Sequence, residues 1–252
     1  MRAAALGRAG RVPVQEVLQV SAQALKDPVP EVRLAAVEGL RFNPHPHATR
    51  LLRVTLEGGK FPDPDGRTKA ALVRGLCQKA APETLVLLDK LRIDPRNREL
   101  TRAYVRGLGR LRHRGALSAL ISFMESLDPS IRCLYMSDIR TSLVVLTGTD
   151  RGLDAAAWSQ WFHQFGSKMQ INPFDPKLPE LMTVDWYGYW QVDPKAERKR
   201  QMARAQPAAA KKDKAQPPRG QGPSELPLDM GKKRSRPTPH SSGWPLRSKD
   251  TE

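Results

Sequence analysis

Cysteine is scarce in this chain: Cys77 and Cys133 are the only two in 252 residues. So few thiols exclude a disulfide framework and a thiolate metal site, and both read as small buried hydrophobes. The five histidines are no better placed. His45-Pro46-His47 lacks helical ligand spacing, His113 sits among arginines, and His163 and His240 stand alone, so neither a metal nor a cofactor is expected. No glycine-rich phosphate loop, nucleophile elbow or Cys/His pair is visible, so no catalytic residue is nominated. No apolar run approaches the roughly 18–20 residues needed to cross a bilayer, and the N-terminus lacks the apolar core of a signal peptide. Acid is also in short supply, with 26 Asp/Glu against 42 Lys/Arg, a net charge of +16.

What the chain does have is a repeat. Asp-Pro recurs at 27–28, 63–64, 94–95 and 128–129, and the first three are each followed by a Gly-Leu pair, Gly39-Leu40, Gly75-Leu76 and Gly107-Leu108. A period of roughly 34 residues is that of a two-helix unit that stacks into a solenoid. Asp-Pro reads as a helix start, with the carboxylate accepting from free backbone N–H groups and Pro in the first helical position. After it come apolar positions on one helical face, Val32, Ala36, Val37 and Leu40, and the pattern returns as Ala70, Ala71, Leu72, Val73 and Leu76, then as Leu100, Ala103, Tyr104, Val105 and Leu108. Second helices are read from Val14–Leu25, Leu51–Leu56, Leu85–Leu91 and Leu117–Leu127. No stretch alternates in twos. The expected fold is all-α, an α-solenoid of about four helix pairs.

Asp27-Pro28, Val32-Arg33, Ala35-Ala36 and Leu40 resemble the HEAT repeat, over roughly residues 1–150. Leu146-Thr147-Gly148, Asp150, Gly152 and Asp154, followed by Trp158 and Trp161, look like the closing segment of bacterial HEAT-repeat proteins. The resemblance implies a solenoid ending in a Trp-rich capping helix near residue 170, from a bacterial source. Leu6-Gly7-Arg8 aligns with Leu108-Gly109-Arg110, three periods away, which places Met1 inside a helix and predicts that the natural protein begins upstream. As written, the chain reads as cytoplasmic, unless a signal peptide precedes it.

Two residue sets are candidates for function. Arg98, Arg102, Arg106 and Arg110 recur every four residues, and four residues advance about 400° on a helix, so they share one face. Guanidinium groups suit phosphate or carboxylate, which makes the ladder an anion or partner surface; the bland alternative is the solvated outer face of a solenoid helix. Trp158, Trp161, Trp186 and Trp190 form an aromatic set, read as a cap sealing the last repeat with residues 171–196 folded back over it. The other reading is an exposed contact patch for a peptide or a base. Asp150 and Asp154 read as turn and cap residues.

Residues 193–252 hold 15 Lys/Arg against 7 Asp/Glu and nine of the 22 prolines. Such a composition cannot bury enough apolar surface to offset its ordering entropy, so 197–252 is expected to be a disordered basic tail with clusters at 198–200, 211–212 and 232–236. Three function classes stay open. The first is a non-enzymatic scaffold that binds a protein partner. The second is a nucleic-acid binder using the arginine helix and the tail, with a DNA glycosylase-like enzyme as its catalytic form. The third is a lyase or chaperone, for which no residue argues.

Overall fold

The computed structural model describes residues 2–59, 63, 66–81, 83–171 and 173–210. Among the described residues the protein is helical and carries no strand. The helices are α1 (Arg2–Ala9), α2 (Gln15–Ala24), α3 (Pro30–Phe42), α4 (Pro46–Gly58), α5 (Arg67–Lys79) and α6 (Thr84–Asp89). They continue with α7 (Arg98–Arg110), α8 (Arg114–Ser126), α9 (Pro129–Thr147), α10 (Ala155–Phe165), α11 (Glu180–Trp190) and α12 (Pro194–Ala210). No helix among the described residues is long and apolar enough to cross a membrane.

The odd-numbered helices α1 to α9 pack side by side in one layer, each against the next odd-numbered helix. The even-numbered helices α2 to α8 pack behind them, and α10 lies against α8. The core therefore runs along the solenoid between two layers. Leu40, Leu76 and Leu108, from the three Gly-Leu pairs, are all buried within it. Fully burying such a side chain contributes about 1.5–3 kcal/mol. The glycine beside each leucine lets neighbouring helices approach. A Cβ on Gly107 would sit 2.6 Å from Cys77 Sγ, and one on Gly39 would sit 2.8 Å from the Gly10 Cα.

The Asp-Pro signal acts less uniformly than expected. At Asp128-Pro129 the carboxylate caps α9, accepting from Ser130 N at 2.9 Å, and Pro129 opens the helix. At the other three sites the aspartate stands in the turn ahead of the helix rather than at the cap position. Asp27 accepts from Val29 N at 2.8 Å, three residues before α3 begins at Pro30. Asp63 accepts from Thr68 and Lys69 N at 2.9 and 2.8 Å. Asp94 accepts from Arg96 N at 3.0 Å, while Asn97 is the residue that caps α7. A short side chain can reach N–H groups from the turn as well as from the cap position, so the dipeptide marks the neighbourhood of a start. Arg33 closes its turn from the helix side, with Nη1 donating to the Asp27 and Pro28 carbonyls at 2.8 and 2.9 Å.

The closing segment folds as its residues dictate. Gly148 ends α9 at φ +70°, in the left-handed region glycine adopts without strain. Asp150 accepts from Gly152 N at 2.9 Å and from both arms of the Arg140 guanidinium, and Asp154 caps α10 through Ala156 N at 2.8 Å. Cys77 is buried, but Cys133 is exposed on α9, contrary to the expectation for both thiols, because it lies on the side of α9 away from Tyr135, Met136 and Ile139.

Candidate functional site: the arginine face and its C-terminal cover

The four arginines of α7 are not one exposed stripe. Arg98, in the first turn, is exposed and Arg102 is 42% exposed, whereas Arg106 and Arg110 are buried. This departs from both sequence expectations, an anion-binding stripe and a solvated outer face. What covers the ladder is the chain itself, through α11 and the start of α12.

Arg106 lies between two carboxylates, Asp138 of α9 and Asp185 of α11, and donates to the Asp185 carbonyl at 3.2 Å. Arg102 shares both acids, at 3.2 Å from Asp138 and 3.7 Å from Asp185. Arg110 pairs with Glu197 of α12 at 2.7 Å, with both side chains almost fully buried. Arg112 follows at φ +45°, a conformation that costs a non-glycine residue roughly 1–2 kcal/mol. Its guanidinium is held by the Val145 carbonyl and Asp175. Burial, reinforced by the neighbouring Arg110 charge, pulls the Arg112 pKa down to about 10, while Tyr187 and Glu197 oppose the shift.

The aromatic residues of α11 lie on the same face. The Tyr189 ring lies under Arg106, Arg102 and Arg74 at 4.8, 5.5 and 5.8 Å, and Trp190 lies under Arg110 at 5.4 Å. Such cation–π contacts strengthen where water is excluded. Burial pushes the Tyr189 hydroxyl up to about 12, against the pull of Arg74 and Arg106. Arg41 of α3, fully buried, donates to the Trp190 carbonyl at 2.6 Å and to Gln78. Its pKa falls to about 10, chiefly through burial, with Glu38 restoring part of the loss. Glu38 also pairs with Arg74 of the next repeat. Thus α11 ties together α3, α5, α7 and α9, where the expectation had it packed on the last repeat alone.

All four tryptophans of the aromatic set are buried. Trp158 and Trp161 of α10 meet edge to face at 5.9 Å, and the Trp158 indole N–H donates to the Gly152 carbonyl at 3.0 Å. Trp186 and Trp190 meet at 5.7 Å on α11. They are packing residues, not an exposed contact patch. The expected boundary at 197 falls inside α12, which runs to Ala210, and Glu197 itself is buried. The basic clusters at 211–212 and 232–236 lie outside the described residues.

Sequence reasoning missed Arg41, Arg74, Asp138, Asp185 and Glu197 as members of this face. One signal was available: the residue ahead of each Gly-Leu pair is charged, as Glu38, Arg74 and Arg106. Aligning the repeats places these three at one position on adjacent helices. No family model, curated protein or solved structure significantly matches the chain.

Proposed function

We propose that this chain is a non-enzymatic scaffold of the HEAT-repeat kind, binding a protein partner through the even-numbered layer of its solenoid. The observation that carries the reading is a row of exposed valines, one on each of three consecutive even-numbered helices. Val20 of α2, Val54 of α4 and Val86 of α6 are 54%, 54% and 57% exposed. Each stands two residues after a buried side chain, Leu18, Leu52 and Thr84, hence about 200° around the helix from it. Valine is a poorer helix former than the lysine, glutamate or glutamine that suit solvated positions, so helix formation does not account for the row. Single exposed hydrophobes are ordinary, but one recurring at the solenoid period marks a repeated apolar position on the outer side of this layer. The arginine face, by contrast, is occupied by α11.

The test is affinity capture from source lysate by the full chain, with and without nuclease, against Val20→Glu/Val54→Glu/Val86→Glu. Loss of captured proteins in the triple variant, with melting nearly unchanged, is the expected result. An identical set captured by both proteins would sink the proposal. The second reading is nucleic-acid binding, favoured by Arg92 and Arg96 in the segment before α7 and Arg98 at its first position, all three exposed. On that reading nuclease treatment removes the captured material and the valine substitutions do not.

A further inference from the structure

Away from the arginine face, the 175–178 loop, one side of α11 and the start of α12 line a half-open pocket of about 500 Å³. Small-molecule sites commonly span roughly 300–1,000 Å³. Three cationic side chains border it, Lys177 from the loop and Lys195 and Arg198 from α12, all exposed. The carboxylate in its wall, Asp175, is engaged elsewhere, accepting from Arg112 and, at 2.8 Å, from the Tyr187 hydroxyl. Asp193, just ahead of α12, is likewise used by the backbone, accepting from Ala196 N at 2.7 Å.

Nothing in the folding of α12 calls for these cations. A helix N-terminus carries partial positive charge and favours acids in its first turn, where Glu197 stands turned toward Arg110; Lys195 shares that turn and Arg198 follows it, against the same preference. Three like charges bordering one concavity raise its potential and favour an anion there. The rest of the lining adds different chemistry: Leu178, Pro176 and the Tyr187 ring are apolar. A ligand matching both kinds of lining carries several negative charges together with a flat apolar ring.

We propose that this pocket binds an organic polyphosphate of nucleotide size, with Lys177, Lys195 and Arg198 engaging the phosphates and the Tyr187 side holding the ring. The test is calorimetric titration of the full chain with ATP, pyrophosphate, adenosine and a short DNA duplex. ATP should bind once per chain and more tightly than pyrophosphate, while adenosine should bind weakly. Lys195→Glu/Arg198→Glu should weaken ATP by roughly ten-fold or more. Lys177→Ala, on another wall of the pocket, should act in the same direction if more mildly. Because all three side chains are exposed, the variants should melt with the parent. ATP affinity unchanged in the double variant, or no saturable ATP binding, would overturn the proposal. Pyrophosphate binding as tightly as ATP would overturn the organic ligand, and duplex displacing ATP stoichiometrically would replace the pocket with a nucleic-acid surface.

Discussion

Arg106 shows how burial changes the meaning of a charged residue. On an exposed helix face, reversing an arginine changes stability by no more than about 0.5 kcal/mol, and Arg98→Glu should behave so. Arg106 is 1% exposed and faces two carboxylates, so Arg106→Glu places a third acid beside Asp138 and Asp185. Breaking a buried pair costs about 3–5 kcal/mol, and urea unfolding of the two variants should separate them by that margin. Equal midpoints would mean that the cover over the ladder is not formed. The thiols offer a second check at this scale. Burial pushes the Cys77 thiol up and shields it, whereas Cys133 is exposed, so the native chain should take up one equivalent of a thiol reagent, at Cys133, and a second only on unfolding.

Among the elements, the turn between α9 and α10 responds to pH. The Asp150 carboxyl is held below its usual range first by its hydrogen bond with Arg140, with the Gly152 N–H and the Arg140 charge adding to the shift against partial burial. A carboxylate depressed in the folded state stabilises it above the unfolded pKa, near 3.9, and loses that contribution as pH falls through the folded value. Asp150→Asn should therefore cost about 1 kcal/mol or less at neutral pH, since the pair is partly exposed, and the deficit should vanish in strong acid. A deficit independent of pH would assign the effect to the turn alone. This element was legible in the sequence because its hydrogen bonds are local: Asp150 reaches Gly152, and Asp154 reaches Ala156. The odd-numbered layer was legible for a related reason, since the period of Gly-Leu pairs fixes which residues meet. The docking of α11 was not. Asp185 and Trp190 meet Arg106 and Arg41 across 79 and 149 residues, and neither belongs to the repeat that would have announced the contact.

Over the whole molecule, that long-range contact changes how a solenoid should unfold. In a stack whose units touch only their neighbours, stability is a sum of local terms and segments can open one at a time. Here α11 spans the stack, bonding α3 through Arg41, meeting α5 and α7 through Tyr189, and reaching the Asp138 of α9 through the shared Arg106 and Arg102. Opening any one of these helices disturbs the same cover, so the four should behave as a single cooperative unit. Trp190→Ala removes a fully buried side chain from that cover and should cost about 3–5 kcal/mol. Native-state hydrogen exchange distinguishes this from a local defect. The amides of α3, α5 and α7 should lose protection together and by similar free energies, although the substitution lies more than 79 residues from each. Loss of protection confined to α11 and α12 would show the cover to be an appendage, leaving the stacked repeats to hold themselves.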